Sequence, residues 1–140
     1  MTATPIEDIA GKLRECRRVA ITSHLRPDGD SLCTGWALAL ALEQMGTAAE
    51  IVNVDRIPVP FDAFPAASRV RIGQIPPGEH DAVVLLECAD VSRSGQTGID
   101  GAFKINIDHH YSNDRYADLN WVEPEASAVA ELAFELCRTL

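Results

Sequence analysis

Apolar residues recur at helical spacing at the start of the chain. Ile6, Ile9, Leu13 and Cys16 fall on one face, so residues 5–17 read as an amphipathic helix with Pro5 in its first turn. The pattern then changes to a short β-branched run, RVAITS at 18–23, which predicts a buried strand. A polar turn, HLRPDGD at 24–30, leads into a stretch rich in leucine and alanine from Ser31 to Met45, with Gly46 placed as a C-cap. Residues 49–54 predict a second strand, and 55–68, with Pro58, Pro60 and Pro65, predict a loop. Residues 69–73 predict a short strand and Pro76-Pro77-Gly78 a turn. DAVVLLE at 81–87 is the clearest strand in the chain. A polar stretch with Gly95, Gly98 and Gly101 follows, then AFKINI at 102–107, which stops at Asp108-His109-His110. Residues 119–122 predict an edge strand and 126–139 a final helix. Short apolar strands, the early ones separated by helices, predict an α/β domain whose mostly parallel sheet has helices on both faces.

Length and charge narrow the picture. The 140 residues suit one domain with one core. A net charge of −9, from 21 acidic and 12 basic residues, argues against a groove that grips long duplex nucleic acid. It leaves a phosphate substrate open, because carboxylates that hold metal ions are overcompensated by the metal. Cys16, Cys33, Cys88 and Cys137 form no C-x-x-C pair and lie in or beside apolar runs, as reduced, buried thiols of a cytoplasmic protein would. Acidic Glu7 and Asp8 near the start, without a long apolar stretch, do not read as a signal peptide, and no run is long enough to span a membrane.

In open parallel sheets the working groups follow the carboxyl ends of strands. Here the first strand is followed by His24, Asp28 and Asp30, the 81–87 strand ends at Glu87 with Asp90 nearby, and the 102–107 strand is followed by Asp108, His109 and His110. Each group alone has an ordinary explanation: a turn with a helix cap at Asp30 or Ser31, a core or surface histidine, a solvated strand exit. Their recurrence at three strand ends favours one site. Carboxylates with a few imidazoles suit manganese, magnesium or iron better than a soft thiolate metal. Several carboxylates around two ions match a site that supplies hydroxide and clamps phosphoryl oxygens. Gly29, between Asp28 and Asp30, is expected to permit a sharp turn that aims both carboxylates inward. The chain has no G-x-x-x-x-G-K-[ST] phosphate loop, no G-x-G-x-x-G fingerprint and no G-x-S-x-G elbow.

At these residues the sequence resembles the DHH phosphoesterase superfamily. ITSHLRPDGDS at 21–31 is similar to its first motif, INIDHH at 105–110 to the motif that names it, and NWVEPEASAVAEL at 120–132 to the stretch that follows in the oligoribonuclease and pAp phosphatase branch. The resemblance implies a Rossmann-like three-layer fold and a two-metal hydroxide mechanism with manganese, or magnesium, as the ions. It implies that His24 and Asp28 bind one metal, Asp30 the other, and His109 a metal as well. His110 would lie near the scissile phosphate, supported by Asp108. The family usually bridges its metals with an aspartate where Glu87 stands, so Glu87 is the expected bridge and Asp90 the alternative. Arg26, Arg93 and Arg115 lie near the motifs and are candidates for phosphate contact. Members also carry a further ligand aspartate and a smaller substrate-binding domain beyond the last helix. The expectation is therefore a truncated N-terminal domain with an incomplete metal site and a tendency to form homodimers. The implied substrate is a nucleotide or short oligonucleotide. Cyclic dinucleotides or pyrophosphate are alternatives within the superfamily, and a degenerate, non-catalytic nucleotide-binding domain is the alternative outside catalysis.

Overall fold

The structure, a computed structural model, describes residues 5–140. Six strands form one parallel sheet: β1 (Arg18–Ser23), β2 (Ala48–Asn53), β3 (Val70–Ile72), β4 (Ala82–Leu86), β5 (Lys104–Asp108) and β6 (Leu119–Val122). Their order across the sheet is β3-β2-β1-β4-β5-β6, and every neighbouring pair is parallel. Each residue of β4 is buried, which explains why this strand is apolar throughout and does not alternate.

Three α-helices complete the fold: α1 (Pro5–Glu15), α2 (Gly29–Gln44) and α3 (Val129–Thr139). α2 begins two residues before Ser31 because Asp28, and not Asp30 or Ser31, is its N-cap. The Asp28 carboxylate accepts from the Ser31 amide while the Ser31 hydroxyl accepts from the Asp28 amide, a reciprocal capping box. α3 begins three residues later than expected, at Val129. The proline-containing loop holds two 3-10 turns, Phe61–Ala63 and Pro65–Arg69, and a third, Val91–Ser94, follows β4.

Helical cover on the two faces is unequal. Ile9 and Leu13 of α1, Leu38 and Leu42 of α2, and Leu132 and Leu136 of α3 share one core with Val19, Ile21, Val84, Leu86, Ile105 and Ile107 of the sheet. The alternate residues Ala20, Val52, Val83 and Leu85 face the other way. They are covered by Ile75, Ile99, Val91 of the third 3-10 turn and Tyr116, with no α-helix on that side among the described residues. Buried Gln96 satisfies the backbone there, accepting from the Ile75 amide at 2.8 Å and donating to the Gly73 carbonyl at 3.3 Å.

All four cysteines are free. Cys16 and Cys88 are buried and Cys137 is half-buried, but Cys33 is exposed, because it shares the outward stripe of α2 with Ala37 and Leu40. No helix among the described residues is long and apolar enough to cross a membrane.

Candidate metal centre

The strand order reverses direction between β1 and β4. From β1 the chain builds outward through β2 and β3, then returns to β4 and builds the other way. Such a switch point leaves a crevice at the carboxyl ends of the two central strands. His24 follows β1 there, Glu87 follows β4, and His109 follows β5.

Glu87 lies at the centre. Its backbone leaves β4 with φ +56°, a left-handed conformation uncommon outside glycine. This turn directs a buried carboxylate across the crevice. Glu87 Oε2 lies 3.6 Å from His24 Nε2, and Oε1 lies 3.3 Å from His109 Nε2. His24 Nε2 is also 3.6 Å from Asp28 Oδ2. Ligand atoms of His24, Asp28 and Glu87 lie mutually within 4.8 Å, and so do those of Asp30, Glu87 and His109. The sequence-derived residues thus gather into two donor sets that share Glu87.

Both imidazoles are oriented by backbone carbonyls. His24 Nδ1 is 2.6 Å from the Leu25 carbonyl and His109 Nδ1 is 2.9 Å from the Ala126 carbonyl. A proton on each Nδ1 leaves Nε2 with a free lone pair, aimed at the carboxylates. Burial pushes the Glu87 carboxyl above the usual carboxylate range, more than His24 lowers it. The Glu87 carboxylate, with the Leu25 carbonyl and Asp28, raises His24 to about 9 against the effect of burial. His109 is raised by the Ala126 carbonyl and then by Glu87. Partial burial would raise Asp28, but the Ser31 amide, Glu87 and His24 together hold it below its ordinary value.

Asp30 has a second duty. Its Oδ2 accepts from the Val129 amide at 2.8 Å and its Oδ1 from the Ala130 amide at 2.9 Å. It therefore caps α3, whose own N-cap residue, Ala128, has no side-chain acceptor. A carboxylate offers about four lone-pair directions, so these bonds leave capacity for a cation. Gly29 serves differently from the sharp turn expected of it. It lies in the first turn of α2, and a Cβ there would sit 2.7 Å from Phe61 Cζ, so any larger residue would have to displace that ring.

Asp108 is wholly buried and collects three donors: the His109 amide and His110 Nδ1 at Oδ1, and Asn113 Nδ2 at Oδ2. The His110 contact is 2.6 Å. His110 stands beside the donor sets, its ring 5.2 Å from that of His109, and belongs to neither set. Asp90 is not brought in. It caps the Val91–Ser94 turn through the Ser92 amide at 2.9 Å and the Ser92 hydroxyl, and the latter contact leads in holding its carboxyl low. Sequence reasoning missed Asn113 and Asn106, whose side chains bond each other at 2.8 Å and tie β5 to the Cys88 carbonyl. A polar residue inside an apolar strand, followed by YSN, was the available signal.

The fold and site define an all-parallel α/β protein with a carboxylate–imidazole cluster at its switch point. The chain belongs to the DHH family: the model for "DHH family, N-terminal domain" matches residues 18–139. Among curated proteins it is similar to a bifunctional oligoribonuclease and PAP phosphatase NrnA of Thermus thermophilus, 31% identical over 118 residues, which cover 84% of this chain and 36% of that protein. The NrnA of Bacillus subtilis is 26% identical over 84% of this chain and 37% of its own length. A probable NrnA of Streptococcus mutans is 27% identical over 92% of this chain and 41% of its own length. The chain thus spans well under half of these relatives. Among solved structures, an exopolyphosphatase-related protein from Bacteroides fragilis has the same fold, with a TM-score of 0.84 at 20% identity, covering 96% of this chain and 43% of that one.

Proposed function

We propose that this chain is the metal-holding N-terminal part of a longer phosphoesterase that hydrolyses phosphate esters of nucleotides or short oligonucleotides. The observation that carries the reading is Glu87, which offers one carboxylate oxygen to each of two donor sets. The residues fit a divalent pair. Glu87 Oε2 is buried without a hydrogen-bond partner, the kind of orphaned acceptor that a cation satisfies. The donors are carboxylate oxygens and oriented imidazole nitrogens, the mixture that suits manganese or magnesium. His24, Asp28 and Glu87 would hold one ion, and Asp30, Glu87 and His109 the other. When bound, such a pair supplies Lewis-acid activation of water and of the phosphoryl oxygens.

The remaining chemistry belongs to the chain. Buried Asp108 fixes the His110 ring through Nδ1, which leaves Nε2 to face a phosphoryl or leaving oxygen. Asn113 and the His109 amide hold Asp108 in turn, so the ring's orientation is set by a continuous hydrogen-bonded unit. The names of the similar proteins, an oligoribonuclease and a PAP phosphatase, support a nucleotide substrate.

The test is phosphate release from adenosine 3′,5′-bisphosphate and mononucleotide release from short oligoribonucleotides, with and without manganese. Loss of a residue that merely supports a ligand typically costs roughly 10–100-fold. Asp28→Ala is therefore expected to lower manganese-dependent turnover by at least about 100-fold. Turnover that is independent of metal, or equal in Asp28→Ala, would contradict the reading.

A further inference from the structure

Beside the cluster, a separate cleft of about 470 Å³ is lined by His24, Leu25, Arg26 and Arg93. It shares only His24 with the two donor sets. A volume of this order accommodates part of a nucleotide-sized ligand. Its two cations come from different loops that are clamped together. The Leu25 amide donates to the Arg93 carbonyl at 2.7 Å. The chain then turns at Gly95, φ +68°, where a Cβ would meet Leu25 Cδ2 at 2.7 Å, so the two loops are in direct contact. Arg26 itself has φ +53°, held by its amide donating to Asp55 Oδ2 at 2.8 Å. Strain of this kind in a non-glycine residue persists where surrounding structure enforces it, and it gathers at ligand sites.

Both guanidinium groups also stand outside the ion pairs of the fold. Arg18, Arg69, Arg71 and Arg138 are ion-paired to glutamates. Among the described residues neither Arg26 nor Arg93 forms an ion pair; Asp90, on the same turn as Arg93, is hydrogen-bonded to Ser92 and feels the Arg93 charge without contacting it as an ion pair. In a chain of net charge −9, two arginines outside every ion pair and lining one cleft concentrate positive charge there. Arg115 does not line this cleft.

We infer that Arg26 and Arg93 form a subsite for a second phosphate of the substrate, one that is not cleaved. The inference rests on the phosphoesterase reading above. The scissile phosphate belongs at the donor sets and His110, and the arginine pair lies across His24 from them. A substrate with two phosphates, whether a bisphosphorylated nucleoside or two linked nucleotides, then spans both compartments, whereas a monophosphate fills only one.

Calorimetric binding, with calcium replacing manganese so that turnover is held off, compares adenosine 3′,5′-bisphosphate with adenosine 5′-monophosphate. The expected wild-type preference for the bisphosphate is about 10-fold or more, the worth of one charge-assisted hydrogen bond. Arg26→Gln and Arg93→Gln should each erode that preference while monophosphate affinity stays within about twofold, and Arg26→Lys should restore part of it. A wild-type preference of one, or a preference unchanged in both glutamine variants, overturns the subsite. Absence of manganese-dependent hydrolysis of any phosphate ester by the wild type refutes the reading beneath it. Hydrolysis without the two-phosphate preference refutes the subsite alone.

Discussion

Glu87 brings together charge, burial and strain in one residue. A buried carboxylate with one unpartnered oxygen is costly to keep ionised, and its raised pKa expresses that cost. Divalent cations would remove it. Manganese at about 100 times its Kd should stabilise the fold by about 2.7 kcal/mol, which corresponds to roughly 5–10 °C in Tm for a domain of this size. Glu87→Gln should abolish that rise in a melting experiment, whereas an undiminished rise would separate Glu87 from the metal. His24 gives a pH signature. Its folded pKa of about 9 exceeds the ordinary 6.5, so its contribution in the metal-free protein is fully present below pH 6.5 and is lost as pH rises through 9. The metal-free Tm should therefore fall across that window, and His24→Asn should flatten the fall. Manganese affinity should move the opposite way, because the ion must displace the proton. Glu87 was legible in the sequence as a carboxylate at a strand end. Its left-handed backbone was not, since no local pattern marks a glutamate for positive φ.

At the scale of elements, the centre and the scaffold share atoms. Asp30 lies in the first turn of α2 and caps α3 across the core surface, so one carboxylate fixes the approach of two helices. Asp30→Ala should cost about 1 kcal/mol of metal-free stability in urea unfolding, in the range of a lost helix cap. An unchanged midpoint would show that the α3 amides find other partners. The strands were readable because runs such as RVAITS and AVVLL have the β-branched, apolar composition of buried strands. The start of α3 was misplaced because its cap comes from Asp30, distant in sequence, and Ala128 supplies no local signal. Gly29 was misjudged for a related reason: its glycine answers to Phe61, which only the folded chain brings over it.

For the whole molecule, the order of six strands determines what the site can be. Local patterning foretold a parallel sheet, and with it the expectation that strand-end residues share an edge. It carried no information on which strands are neighbours, because pairing order depends on connections and not on the strands themselves. The switch between β1 and β4 places His24 beside Glu87, though 63 residues separate them in the chain. The second face, covered by loops and a 3-10 turn with no α-helix among the described residues, was equally invisible, and that same turn carries Arg93, whose carbonyl meets the Leu25 amide. The measurement that tests the central claim most directly is anomalous diffraction at the manganese edge from a crystal of this chain soaked in manganese. Two peaks are predicted, one among His24, Asp28 and Glu87 and the other among Asp30, Glu87 and His109, with Glu87 common to both. Manganese bound at Asp90, or no manganese on Glu87 at millimolar concentration, would contradict the account.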